Sequence, residues 1–178
     1  MAFELEPLLA QVRARSTGIG SEIHGERHWR TVGANGLWLA ERTAGADAHV
    51  VLLFALLHDT MRENDDYDPE HGPRAAVFAE ALHAEALVRL DGARLELLVE
   101  ACRFHTDGLT ADEPTVAVCW DADRLDLPRV GIEPAAHLLS TEAARSPQSS
   151  RWAGAARAEP PEWSELVMRL RARLDSQL

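Results

Sequence analysis

Cysteine, basic charge and long apolar runs are all scarce in this chain, and each shortage removes a class of protein. The two cysteines, Cys102 and Cys119, are isolated and show no CxxC spacing, which argues against a disulfide framework or a zinc ribbon and fits reduced thiols. Lys plus Arg total 18 against 29 Asp plus Glu, a formal charge of -11, so a broad electropositive footprint for duplex nucleic acid is not expected. Neither a GxxxxGK[ST] loop nor a GxGxxG fingerprint occurs. The longest apolar run, VVLLFALL, is far short of the roughly 20 residues a membrane-spanning helix needs. The amino terminus, MAFELEPLLAQVRAR, carries acids where a secretory signal would carry basic residues. A soluble, cytoplasmic protein with no membrane partner is the resulting expectation. At 178 residues the chain suffices for one domain with a substantial core, and a second full domain would be cramped.

What the chain does contain is helical periodicity. Residues 3–15 place Phe3, Leu5, Leu8, Leu9 and Val12 at helical spacing. STGIGSEIHGE then breaks the pattern with three glycines and two serines. A second helix is expected over 27–43, where Gly33 and Gly36 each cost roughly 1 kcal/mol relative to Ala but could admit a close neighbour. Asp47 is a good N-cap for a third helix, and the continuous apolar block to Leu57 predicts that this helix is central and buried on most sides. Arg62 to Pro69 reads as an ordered polar loop, followed by helices over 74–90 and 93–104, with Thr106-Asp107-Gly108 closing the latter. Val116 to Trp120 could be a short strand, but a helix through Leu127 fits the context better. Residues 134–144 are expected to be helical, SPQSSRWAGAARAEPP to be a mobile loop, and Trp163 onward a terminal amphipathic helix. That last helix could close the core or form a homodimer contact. The fold class is therefore all-α, one helical bundle over 1–178, with a motif region at 23–127 and a helical extension at 133–178.

Chemistry concentrates where the apolar block ends. His58-Asp59 stands at the exit of the third helix, and an adjacent imidazole and carboxylate can share one divalent ion if the backbone there leaves regular helix. Upstream, HGERHW offers His24 and His28, and downstream DADRLD offers Asp121, Asp123 and Asp126. Taken singly each has an ordinary structural explanation: a core hydrogen bond for a histidine, a helix-end ion pair with Arg124 or Arg129 for Asp126.

The ordered set His28, His58-Asp59, Asp123, carried by HGERHW, LLHDTMRENDDYDPEHG and DADRLD, resembles the H…HD…D arrangement of the HD superfamily of metal-dependent phosphohydrolases. The resemblance covers roughly residues 23–127. It implies an HD-type bundle in which His28, His58, Asp59 and Asp123 hold one divalent metal, with Mn, Fe, Co, Ni, Zn or Mg all compatible with mixed nitrogen and oxygen donors. It implies a metal-dependent phosphohydrolase acting through activated water on a nucleotide or other small phosphorylated metabolite, with Glu63 and Asp59 assisting catalysis. Arg62, His71 and His105 are then expected to contact substrate, and Asp121 and His24 to support the ligands from behind. No GYP signature follows His58-Asp59, so a second metal on His71 and His105 is not expected. A noncatalytic sensing or interaction module on the same scaffold is the alternative reading.

Overall fold

The apolar block becomes α3 (Ala48–Leu57), and everything else is packed around it. Asp47 caps it, its carboxylate accepting from the backbone N–H groups of His49 and Val50 at 2.9 and 3.0 Å. From Val50 to Leu57 every side chain is buried, at roughly 1.5–3 kcal/mol for each large one relative to exposure. The computed structural model describes residues 5–107 and 109–175, and among these it is all-helical with no strand. Phe3 and Gly108 lie outside the described residues. No described helix is long and apolar enough to cross a membrane.

Around α3 stand α2 (Glu26–Ala40), α4 (His71–Ala84), α5 (Gly92–Phe104), α6 (Pro114–Arg124) and α9 (Trp163–Asp175), all contacting it directly. α1 (Leu5–Arg15) adds Leu5, Leu8, Leu9 and Val12 to the same core. The two α2 glycines do admit close neighbours. A Cβ on Gly36 would lie 2.4 Å from Val51 Cγ1, and one on Gly33 would lie 3.0 Å from Leu166 Cδ1, so α2 sits tight against α3 and α9. Gly72 plays the same part at the start of α4. A Cβ there would meet the carbonyl oxygens of Cys102 and Arg103, each at 2.8 Å, so the first turn of α4 abuts the last turn of α5.

Three expectations change. α4 begins at His71 and ends at Ala84, short of residue 90; Ala86 takes φ 59 and the chain folds back so that the N–H groups of Leu87 and Val88 reach the Leu82 carbonyl. The helix expected over 134–144 is instead a 3-10 turn, Ala136–Leu138, followed by a short helix at its end, α7 (Glu142–Arg145). The expected mobile loop, residues 146–161, is instead mostly α8 (Pro147–Ala158). Thr141 and Ser146 cap these two helices through their hydroxyls, Pro147 opens α8, and Trp152 stacks on Trp38 with ring centroids 6.0 Å apart. Cys102 and Cys119 are buried free thiols.

Candidate metal centre

Helix α3 stops at Leu57, and residues 58–61 form a turn. This departure from regular helix is what brings the adjacent side chains of His58 and Asp59 to one place. The turn is braced from outside: the Thr60 carbonyl accepts from Ser16 Oγ at 2.6 Å and from the N–H groups of Thr17 and Gly18 at 3.0 and 3.1 Å. Gly18 must be bare there, since a Cβ would fall 2.7 Å from the Asp59 carbonyl oxygen. His28 arrives from the first turn of α2 and Asp123 from the last turn of α6. His28 Nε2 lies 3.1 Å from His58 Nε2, 3.2 Å from Asp123 Oδ1 and 3.6 Å from Asp59 Oδ2. His58 Nε2 lies 3.7 Å from Asp59 Oδ2 and 3.8 Å from Asp123 Oδ1.

The other oxygen of Asp59 faces a second pair of imidazoles. Oδ1 is 3.1 Å from His71 Nε2 and 3.5 Å from His105 Nε2, and those two nitrogens are 2.9 Å apart. The abutment of α4 on α5 permitted by Gly72 is what sets His71 beside His105. The donor atoms of His28, His58 and Asp59, and those of Asp59, His71 and His105, each fall within 4.8 Å of one another.

Hydrogen bonding fixes which ring nitrogen is free. His71 Nδ1 is held on the Asp68 carbonyl. His105 Nδ1 faces the Cys102 carbonyl at 2.7 Å, His58 Nδ1 the carbonyls of Phe54 and Ala55 at 3.3 Å, and His28 Nδ1 the Asp126 carboxylate at 2.8 Å. Carbonyl and carboxylate oxygens accept, so each Nδ1 carries a proton, and each ring in its neutral form presents its Nε2 lone pair to the centre. Lone pairs facing one another at 2.9 and 3.1 Å repel unless a positive charge lies among them. Asp59 Oδ1 is buried with no aligned hydrogen-bond donor among the described residues, a costly state for a carboxylate. The residues present therefore fit a divalent cation, as mixed imidazole and carboxylate donors with their opposite edges already anchored.

Electrostatics point the same way. Burial pushes His58 down to about 3, keeping it neutral. Burial would raise Asp59, but the imidazoles around it, His58 first, hold it well below the ordinary carboxylate range. Burial and the Arg129 charge oppose protonation of His28, yet Asp123 and Asp126 outweigh them and raise it. Burial likewise opposes protonation of His105, and the Asp59 carboxylate outweighs it.

A cleft of about 320 Å³ opens onto this cluster, with Asp59, His71, His105 and Asp123 in its wall and Arg62 and Arg129 among its other lining residues. Arg62 Nη1 reaches to 3.0 Å from His71 Nε2 and 3.6 Å from Asp59 Oδ1.

The structure thus brings His28, His58, Asp59 and Asp123 together, with Arg62 beside them, and moves several expected residues elsewhere. Glu63 is not at the cluster: its carboxylate is 67% exposed and lies 3.9 Å from Arg74 Nε, because the polar loop turns it outward. Asp121 orients no ligand. Its carboxylate accepts from the Ser140 and Thr141 N–H groups and from Thr141 Oγ1, pinning the start of the extension, and burial raises its pKa. The residue behind His28 is Asp126, which also accepts from Arg157 Nε at 3.0 Å. His24 lines the cleft with its Nδ1 3.1 Å from Asp65 Oδ1. His71 and His105, expected as substrate contacts, stand as a donor pair for the second Asp59 oxygen, so the expected single cation has a second group of donors beside it. Asp126, offered by its i+3 spacing from Asp123 but not assigned to the site, is brought to it; Arg129, considered only as an ion-pair partner for Asp126, lines the cleft. Comparison with family models, with curated proteins and with solved structures finds no match to this chain.

Proposed function

We propose that this protein is a metal-dependent phosphohydrolase of HD type, acting on a nucleotide or another small phosphorylated metabolite. The observation that carries the reading is Asp59, a buried carboxylate whose two oxygens each face a pair of anchored imidazoles. His28, His58, Asp59 and Asp123 would hold one divalent cation, and Asp59, His71 and His105 offer donors for another. Such a cation, when bound, supplies Lewis acidity that lowers the pKa of water and offsets charge as a phosphoester bond breaks.

The chain's own residues supply the rest. Asp126 and the carbonyls of α3, α5 and the 62–69 loop hold the four rings in one tautomer, so no reorientation is needed when a ligand arrives. Arg62 sets a guanidinium against the cluster, where a phosphate oxygen would need a donor. With Glu63 turned outward, His24 is the group in the cleft wall placed to carry a proton, its Nδ1 held by Asp65.

The test is protein purified without chelator, assayed for metal content and for release of phosphate from mono-, di- and triphosphates and cyclic nucleotides. The double variant His58→Ala, Asp59→Ala is expected to lose both metal and turnover while its far-UV circular dichroism stays helical. Full metal content in that variant would overturn the site. Ligand binding without any product across several metals would overturn the catalytic reading in favour of a sensing module.

A further inference from the structure

We infer that Arg129 joins Arg62 in gripping the phosphate of the substrate, and that the cleft it lines admits a phosphomonoester whose organic part is of nucleoside size or smaller. The substrate class rests on the phosphohydrolase reading above; the anion site does not. Arg129 lies in the 3-10 turn Leu127–Val130 that follows α6, six positions after Asp123. Its side chain is only 13% exposed. Its Nε donates to the Ile23 carbonyl at 3.0 Å, and its nearest carboxylate oxygen, Asp126 Oδ2, is 4.0 Å away. That carboxylate is already engaged by His28 and Arg157 at 2.8 and 3.0 Å. Nη1 of Arg129 is buried with no hydrogen-bond partner among the described residues. A guanidinium nitrogen left so is expensive, and the missing partner is an acceptor.

The other cleft cations are more fully engaged. Arg124 donates to the carbonyls of Leu138 and Leu109, and Arg62 donates to those of Asn64 and Asp66 through Nε and Nη2. The chain contains no lysine, so any further cationic grip on an anion falls to arginine. Arg62 and Arg129 line the same cleft as Asp59 and Asp123, an arrangement that favours a compact, multiply charged oxyanion over a single carboxylate. Leu127, Pro134, Ala135 and Leu138 supply an apolar stretch of wall for the organic part. At about 320 Å³ the cleft is at the lower end of small-molecule sites, a size that matches a mononucleotide better than a dinucleotide or a polymer.

Inorganic phosphate is the probe. Titrated into the protein as purified, it should bind wild type and bind Arg129→Gln about tenfold or more weakly, the loss of one charge-assisted contact, with metal content unchanged. Arg129→Lys should fall between. In wild type the guanidinium nitrogen resonance of Arg129 should shift on adding phosphate, a reading that needs no variant to fold. Equal phosphate affinity in wild type and Arg129→Gln, or an unmoved resonance, overturns the assignment. Phosphate binding through Arg129 with no hydrolysis of any ester supports the anion site while sinking the phosphohydrolase reading. Faster turnover of a cyclic dinucleotide than of a nucleoside monophosphate overturns the size limit.

Discussion

Arg62 sets a positive charge against the Asp59–His71–His105 group, so any cation binding there must displace or tolerate a guanidinium whose Nη1 is 3.0 Å from a ligand nitrogen. Among the described residues no guanidinium lies at this range from the His28–His58–Asp123 side, although the charge of Arg129 is felt there. Two unequal affinities are therefore expected from a metal titration: one tight site, and one weaker site that tightens in Arg62→Ala and disappears in His105→Ala. Two equal sites, or no change in Arg62→Ala, would refute the competition. At this scale the sequence was informative where residue type and order both constrain chemistry, as for His58-Asp59, and silent where only the backbone decides direction. Glu63 follows the HD pair closely but leaves the cluster because the loop turns. Asp121 and Asp126 are both acids near Asp123; the i+3 spacing hints that Asp126 shares its face, but nothing in DADRLD says that Asp121 turns away to Thr141.

Among the elements, α3 carries the site at one end and its cap at the other, which separates stability from chemistry. Asp47 caps α3 and also takes both Nε and Nη2 of Arg94 at 2.8 and 2.9 Å. Burial opposes ionisation of Asp47, but Arg94 and the N–H groups of His49 and Val50 outweigh it and lower its pKa. A depressed folded pKa gives stability that is present above the unfolded value, about 3.9, and is lost as pH falls below it. Asp47→Ala should cost about 1–2 kcal/mol near neutral pH, or roughly 2–8 °C in a domain of this size. Asp47→Asn keeps a cap and should lose less, with a flatter decline in melting temperature between pH 5 and pH 3 than wild type. Thermal melts across that range decide it: identical pH profiles for wild type and Asp47→Asn would refute the role. The cap and the apolar block of α3 were readable because both signals are local. Helix α8 was not, since its buried face is Ser149, Ala153 and Ala156, too small to register as an apolar stripe. Ser146-Pro147 was the start signal available there, and the composition around it hid it.

For the molecule as a whole, the cluster is a local debt carried by a large apolar core. Four imidazoles and the carboxylates of Asp59 and Asp123 converge inside a chain whose formal charge is -11, surroundings that favour a bound cation. The core that surrounds it draws on all the long helices and on Leu8, Trp29, Phe54 and Leu166, none of which depends on a ligand. Removal of metal should consequently weaken the fold without dismantling it. A cation at about a thousand times its dissociation constant contributes about 4 kcal/mol of linkage. At roughly 2–4 °C per kcal/mol for a chain of this length, chelation should lower the melting temperature by about 8–16 °C. Far-UV circular dichroism at 25 °C should be nearly unchanged. Adding back a divalent first-row ion should restore the higher value, and His58→Ala, Asp59→Ala should melt at one temperature with or without chelator. A wild-type melting temperature indifferent to chelator in protein shown to contain metal would mean that the cation is not held by this cluster. Unfolding of the whole chain on chelation would mean that the packing around α3 is not self-sufficient, against the burial of every side chain from Val50 to Leu57.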